Sequence, residues 1–187
     1  MHACCAPCFT AVNEKISDDF NEIIFWFNPN IEPKAEHDLR LNTLKQYLKN
    51  INTNLPLLSN YDYDKENKLW HQFISGMEAE PEGGKRCARC FEFRLSRLIA
   101  KAFELDIPCT TTLTVSPHKN AQVINSIGQN LTKEQTAHPP GLLDIKFLEF
   151  DFKKENGYRR SIEISKQSGL YRQNYCGCRY SQQIQNK

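Results

Sequence analysis

The sequence lacks the features that mark membrane, secreted and repetitive proteins. No apolar run approaches the ~18 residues that a membrane-spanning helix needs. The first residues, Met1 to Cys4, carry neither the basic nor the apolar region of a secretory signal peptide. Internal repeats and low-complexity stretches are also missing, and the net charge of +2 is uninformative by itself. These absences predict a cytoplasmic protein that does not enter a membrane.

Length and composition are those of an ordinary globular protein. The chain has 187 residues, of which 40% are hydrophobic and 25% are charged. This is enough apolar material for one core, so we expect a single domain that spans residues 1–187.

Hydrophobic periodicity predicts strands that alternate with helices. The apolar run at residues 23–27 is typical of a buried parallel strand, and the apolar stripe along residues 87–105 is typical of an amphipathic helix. The other predicted strands are 55–58, 108–115 and 146–150, and the other predicted helices are 33–50, 66–74, 121–131 and 158–167. This alternation predicts an α/β fold, a parallel sheet with helices on both faces.

Cysteine is the residue type that the chain has in excess. Thiols stay reduced in the cytoplasm, so metal binding or catalysis is a better explanation for eight cysteines than a disulfide framework. They form three groups and a singleton, namely Cys4, Cys5 and Cys8; Cys87 and Cys90; Cys176 and Cys178; and Cys109. Cys109 lies alone in a predicted strand and is interpreted as a core residue. One point is unusual, because a cysteine group at the carboxyl edge of a sheet needs a strand before it and only three residues precede Cys4. Either the first strand is missing or the true start lies upstream, and the sequence leaves both open.

The Cys87-x-x-Cys90 motif begins a predicted helix. The macrodipole and the free N–H groups of a helix N-terminus favour thiolate over thiol, and a single turn brings the two sulfurs to one metal centre.

The two terminal cysteine groups indicate a second centre. Adjacent residues of an extended chain point to opposite sides, so we expect Cys4 and Cys5 to bind different metal ions. The same argument holds less strictly for Cys176 and Cys178, and Gly177 between them suggests a tight bend. Seven grouped cysteines are enough for four ligands to a cubane iron–sulfur cluster and three to a second metal ion with an open position.

Six sequence motifs follow one another along nearly the whole chain. They are HACCAPC at residues 2–8, FNPNI at 27–31, EPEGGKRCARCF at 80–91, TTLTVSPHKN at 111–120, FKKENGY at 152–158 and LYRQNYCGC at 170–178. Together these motifs resemble the cobalamin-independent epoxyqueuosine reductases, the QueH family. A lone C-x-x-C would not be specific, but the ordered set is.

The resemblance implies a fold, a reaction and partners that spacing alone does not give. The fold would resemble the PP-loop ATPase domain of the adenine-nucleotide alpha-hydrolases, a Rossmann-like fold, with the nucleotide role lost. The cofactors would be a [4Fe–4S] cluster and a mononuclear iron or other divalent metal ion. The reaction would be the reduction of epoxyqueuosine to queuosine in the anticodon loop of tRNA, with electrons from an unidentified donor.

The resemblance also implies a set of ligands. Carried over by position, the cluster ligands would be Cys4, Cys87, Cys90 and Cys176, and the ligands of the second metal ion would be Cys5, Cys8 and Cys178. Some family members carry Asp at the position of Cys8, so the chemistry of that ligand varies.

Polar residues outside the cysteine groups are candidates for contact with the substrate. His118 lies in a strand-to-helix turn, where α/β folds bind ligands, and is a candidate proton donor or substrate contact, or simply part of a helix-capping loop. The basic residues Lys153, Lys154, Arg159 and Arg160 are expected either to meet tRNA phosphates or to form a solvated surface.

Two asparagines and two tyrosines carry alternatives that the sequence leaves open. Asn28 and Asn30 follow the first predicted strand, where they could bond the substrate base or terminate the strand; we prefer the turn role for Asn30. Tyr171 and Tyr175 could stack on bases or pack around the cluster.

Two other functions would also use these residues. A zinc-binding RNA-interaction module without redox activity would explain cysteines and basic residues, but not the surplus of ligands. A thiol oxidoreductase using Cys87 and Cys90 would need its C-x-x-C motif directly after the first strand, whereas here the motif lies in mid-chain.

Overall fold

The computed structural model describes residues 1–136 and 145–185 of the chain. It is a mixed α/β structure whose two named strands, β1 (Ile24–Phe25) and β2 (Leu57–Leu58), pair in parallel. The helices are α1 (Ala6–Ile16), α2 (Lys34–Asn50), α3 (Tyr63–Phe73), α4 (Lys85–Leu105), α5 (Ala121–Thr136), α6 (Gly157–Gln167) and α7 (Arg179–Gln185), with a 3₁₀ helix at Thr112–Val115.

Single parallel bridges extend the pairing beyond β1 and β2. His2 bridges to Phe25 on one side and to Thr111 on the other, and Cys109 bridges to Phe147. Numbered along the chain, the five extended segments therefore lie in the order third, second, first, fourth, fifth. This is the order of doubly wound parallel sheets. Residues 1–3 form the central segment and bond to both neighbours, the segments at Phe25 and at Thr111.

Two hydrophobic clusters hold the helices against these segments. One cluster joins α1 and α2 to β1 through Phe9, Ile24 and Leu44, all fully buried. The other joins α4 and α5 through Leu95 and Ile124. Cys109 lies in the second cluster and is 4% exposed, which confirms it as a core residue.

The helices predicted from periodicity are confirmed, and their observed ends differ from the predicted ones by a few residues. The strand prediction for residues 108–115 is wrong in its second half, where Thr112–Val115 forms the 3₁₀ helix. The hydroxyl of Thr111 accepts a hydrogen bond from the Leu113 N–H at 3.2 Å, so a threonine side chain competes with the strand ladder for the backbone. Helices α1 and α7 were not predicted.

Among the described residues, no helix combines the length and the apolarity that crossing a membrane would need.

Candidate metal centre

The first cysteine group follows the central segment of the sheet. Cys4 and Cys5 come directly after Ala3, and Cys8 lies in the first turn of α1, which has Pro7 near its start. The three Sγ atoms all lie within 4.8 Å of one another. The Cys4 and Cys5 sulfurs are 3.9 Å apart, close to the roughly 3.8 Å that two thiolates bonded to one tetrahedral ion would show.

The expectation that the sulfurs of Cys4 and Cys5 point apart is wrong. Alternation holds only for continuous extended backbone. The chain bends at Cys4 and enters α1 one residue after Cys5, so both sulfurs stay on the same side. Thr112 holds Cys4 at this bend, because its hydroxyl accepts from the Cys4 N–H at 3.0 Å and lies 3.2 Å from Cys4 Sγ.

The second cysteine group opens α4, as the sequence predicted. Gly84 is the N-cap residue, and the backbone N–H of Gly83 donates to Cys87 Sγ at 3.2 Å. Gly83 has a φ of +85°, a left-handed conformation that favours glycine. Cys90 follows one turn later and is buried.

The third cysteine group lies on a loop that α2 holds in place. Arg40, 2% exposed, donates to the backbone carbonyls of Cys176 at 3.1 Å and Tyr175 at 3.4 Å. The N–H of Glu32 donates to the Gly177 carbonyl at 2.8 Å. Gly177 itself has a φ of +132°, which confirms the tight bend. Tyr175 donates its hydroxyl to the Glu32 carbonyl, so it packs in this loop.

Two adjoining cavities bring the three groups together. The larger has a volume of about 300 Å³ and is lined by Cys4, Cys8 and Cys176. The smaller is lined by four cysteines, Cys87, Cys90, Cys176 and Cys178. Cys176 therefore belongs to both, and all of the grouped cysteines except Cys5 line one cavity or the other. Cys5 is buried beside Cys4 and Cys8.

Burial opposes negative charge on most of these thiols. It raises the pKa of Cys87 and Cys178, and that of Cys90 to about 12. A bound cation reverses this effect, since a coordinating thiol is deprotonated outright. Buried thiols that resist ionisation on their own, grouped within ligand distance of one another, fit a metal site.

Cys4 differs from these thiols because its pKa is lowered rather than raised. Hydrogen bonds from the Cys5 and Cys8 thiols hold the pKa of Cys4 well below its usual value. The contact with Cys4, together with burial, raises the pKa of Cys5 to about 11, and contacts with both neighbours raise that of Cys8. Burial lowers the pKa of Lys119 nearby, but Coulombic interactions with the cysteine sulfurs around it outweigh this effect and raise that pKa. The larger cavity thus places a cation beside its sulfurs.

A buried polar network lies beneath the larger cavity. Asn28, fully buried, donates to the Ala3 carbonyl at 2.9 Å and accepts from Arg94, whose side chain lines the cavity. His2 bonds to Thr111 Oγ1 at 2.8 Å and stays neutral, because burial and the Arg94 charge lower its pKa to about 3. Asn28 therefore positions the central segment and Arg94.

Comparison with known proteins identifies the family. The family model described as epoxyqueuosine reductase QueH matches residues 1–184. The epoxyqueuosine reductase QueH of Streptococcus pyogenes is 40% identical over 189 residues, covering 99% of this chain and 70% of that protein. Those of Staphylococcus epidermidis and Thermotoga maritima are 35% and 31% identical, covering 95% and 97% of this chain and 73% and 88% of theirs.

The chain belongs to the QueH family of epoxyqueuosine reductases. The resemblance drawn from the motifs is confirmed, and membership makes the chain an oxidoreductase of tRNA modification.

Sequence interpretation found some residues of the QueH site and missed others. His118 was predicted as a site residue, and it is exposed and lines the larger cavity. Arg40, Arg94 and Thr112 were not predicted, because each contacts a cysteine or asparagine that is distant in sequence. Thr112 and Arg94 lie in or beside recognised motifs, which was the one available signal.

The predicted basic surface is largely engaged in ion pairs. Arg160 contacts Glu14 through two hydrogen bonds of 2.8 Å, and Arg159 contacts Glu163 at 3.1 Å. Lys154 is exposed.

Proposed function

We propose that this QueH chain reduces epoxyqueuosine in tRNA with a [4Fe–4S] cluster and an adjacent mononuclear iron or other divalent metal ion. The observation that carries the proposal is the convergence of three distant segments: six of their cysteines line two adjoining cavities, and the seventh, Cys5, lies beside Cys4 and Cys8. They lie beside the central segment of the sheet, at the point where the chain order reverses. In open parallel sheets, ligands bind at this switch point.

The proposed ligands follow the family motifs. The cluster would be held by Cys4, Cys87, Cys90 and Cys176, and the second metal ion by Cys5, Cys8 and Cys178. The closeness of the Cys4, Cys5 and Cys8 sulfurs favours a different division, in which these three bind one ion and the remaining four bind the cluster. Both divisions use all seven sulfurs.

Two alanine variants distinguish the divisions. We expect Cys4→Ala to lose inorganic sulfide and the visible absorbance of the cluster. We expect Cys178→Ala to keep both and to lose the second metal ion. Cys109→Ala is the matched control, since that thiol is buried in the core away from both cavities, and it should keep all metal. The reverse pattern, with Cys178→Ala losing the cluster and Cys4→Ala keeping it, would contradict the proposed ligands.

The reaction defines what the site must provide. Converting the epoxide into an alkene breaks two C–O bonds and uses two electrons and two protons, with the oxygen leaving as water. No side chain supplies such electrons, so a cofactor must. When bound, the cluster would supply electrons singly and the second metal ion a Lewis-acid position for the epoxide oxygen.

The chain itself would deliver the protons. His118 lines the larger cavity together with Cys4 and Cys8, so it could reach a substrate bound there. We propose His118 as a proton donor to the departing oxygen. Its backbone N–H donates to the Ser116 hydroxyl at 3.3 Å, which fixes the turn. This bond does not use the imidazole.

The larger cavity would hold the modified base. At about 300 Å³ it has the size of an ordinary small-ligand site. Arg172 and Tyr158 line it, with the guanidinium carbon 6.0 Å from the ring centroid, which suits both a phosphate and a flat base. The substrate partner would be a tRNA with a queuosine-type anticodon loop, and an unidentified donor would supply electrons.

Fold and location complete the proposal. The order of the extended segments supports a Rossmann-like fold of the PP-loop type and a single domain over residues 1–187. A tRNA substrate is consistent with a cytoplasmic location.

Activity on the modified nucleoside tests the function directly. Anaerobic protein with reductant and epoxyqueuosine-containing tRNA should yield a nucleoside that mass spectrometry finds lighter by one oxygen. His118→Gln should lower the rate by about 10²-fold or more while metal content is unchanged. Tight tRNA binding by metal-loaded protein without any conversion would favour the RNA-interaction module instead.

A further inference from the structure

The smaller cavity contains hydrogen-bond donors that the protein leaves without an acceptor. Within residues 1–136 and 145–185, the Nε and Nη2 atoms of Arg86 and the Nε1 atom of Trp70 are buried and have no hydrogen-bond partner. Arg86 is 2% exposed and Trp70 is fully buried. Both residues line the cavity together with four cysteines, Cys87, Cys90, Cys176 and Cys178.

Arg86 is held at one end of its guanidinium only. Its Nη1 atom donates to the backbone carbonyls of Glu78, at 2.9 Å, and Glu80. The guanidinium carbon lies 4.9 Å from the ring centroid of Tyr180. These acceptors are uncharged, so within the described part of the chain no carboxylate is hydrogen-bonded to this buried cation. A buried charge left in this way is costly unless an anion lies nearby.

Both donors line the same cavity as the four cysteines. An anionic group that these cysteines held there would therefore lie beside two side chains with hydrogen bonds left to donate.

We propose that Arg86 and Trp70 raise the reduction potential of the iron–sulfur cluster by donating hydrogen bonds to sulfur atoms in this cavity. The inference rests on the proposed function, which places the cluster there. Cys87, Cys90 and Cys176 are cluster ligands in either division of the cysteines, so the inference does not depend on that choice. Reduction adds negative charge, so donors and a nearby cation bind the reduced state more strongly.

The test compares midpoint potentials. Wild type, Arg86→Met, Arg86→Lys and Trp70→Phe are purified without oxygen, matched for iron and sulfide, and titrated with the cluster signal followed by electron paramagnetic resonance. Methionine keeps much of the apolar stem of Arg86, and phenylalanine removes the indole N–H while keeping a ring. Arg89→Met is the matched control, because Arg89 lies on the same helix but contacts Phe73 and Glu92 outside the cavity.

We expect Arg86→Met to lower the equilibrium constant for cluster reduction about tenfold, which is a shift of about 59 mV for one electron. Trp70→Phe should lower it by a smaller factor, and Arg89→Met should leave it unchanged. Arg86→Lys keeps the charge but not the second donor, so it should shift the potential less than Arg86→Met. If Arg86→Met fails to hold a cluster, Trp70→Phe decides. Wild-type potentials in Arg86→Met and Trp70→Phe, or an equal shift in Arg89→Met, would overturn the inference. Wild-type protein without a cluster signal would contradict the proposed function itself.

Discussion

Single residues determine whether the cysteine groups can meet, and Gly177 is the clearest case. Its φ of +132° is a conformation that side chains avoid, and an added Cβ would lie 3.0 Å from Ile31 and 3.2 Å from the Arg40 guanidinium. Arg40 is the residue that fixes the Cys176 carbonyl. A side chain at position 177 would therefore disturb both the loop that carries Cys176 and Cys178 and the arginine that anchors it.

We expect Gly177→Ala to lower the free energy of unfolding by roughly 1–3 kcal/mol and to lower the iron content. Gly76→Ala is the matched control, since Gly76 also has positive φ (+81°) but an added Cβ there meets nothing within 4 Å. It should cost less stability and leave iron unchanged. Melting temperature and iron analysis measure both effects, and equal iron in the two variants would contradict the role of Gly177.

At the scale of elements, two helix N-termini and one loop converge beside the switch point of the sheet. The sequence could predict α4 and its cysteines, because an apolar stripe and a preceding glycine pair mark the helix start. It could not predict α1, since the Cys-rich start offers no periodic signal before Phe9. The course of the chain at Thr112 also depends on tertiary contact with Cys4.

Helix α2 is tied to β1 by a buried histidine. His37 Nε2 accepts from the Trp26 indole at 2.9 Å and lies 2.8 Å from the Tyr61 hydroxyl, while Nδ1 contacts Asp38 at 2.9 Å. Burial lowers the pKa of His37 despite Asp38, with Lys34 and Arg40 adding to the lowering. A proton on Nε2 would also remove the acceptor of the indole.

This arrangement predicts a loss of stability in mild acid. Because the folded pKa lies below the unfolded value of about 6.5, the unfolded chain binds more protons between the two values. Stability should therefore fall as pH decreases from about 6.5 through the folded pKa. The melting temperature of His37→Gln, which keeps an acceptor for Trp26, should fall less between pH 7.5 and 5.5 than that of wild type. An equal decrease in both would show that His37 is not responsible.

At the scale of the whole molecule, the order of the motifs along the chain indicated the family, and the number of cysteines predicted a metal site. The sequence alone does not determine which cysteines would bind the cluster and which the second metal ion, because that depends on where three distant segments meet. Arg86 and Trp70 were beyond prediction for the same reason, since an unpaired donor is defined by what surrounds it.

The basic surface gives a prediction for tRNA binding. Arg160 and Lys154 are both exposed, but Arg160 is held by two hydrogen bonds to Glu14. We expect Lys154→Gln to weaken tRNA binding and to reduce the slope of log K against log salt by about 1, as the loss of one phosphate contact would. Arg160→Gln should have a smaller effect. Equal slopes for wild type and Lys154→Gln would exclude Lys154 from the interface.

The central claim is that these cysteines hold a cluster and a second metal ion. The most direct measurement is iron, zinc and sulfide content with a visible spectrum, on protein purified without oxygen. We predict about four sulfides and about four to five irons per chain, with absorbance that bleaches on reduction. A colourless protein that holds only zinc, even after anaerobic cluster reconstitution, would contradict the account.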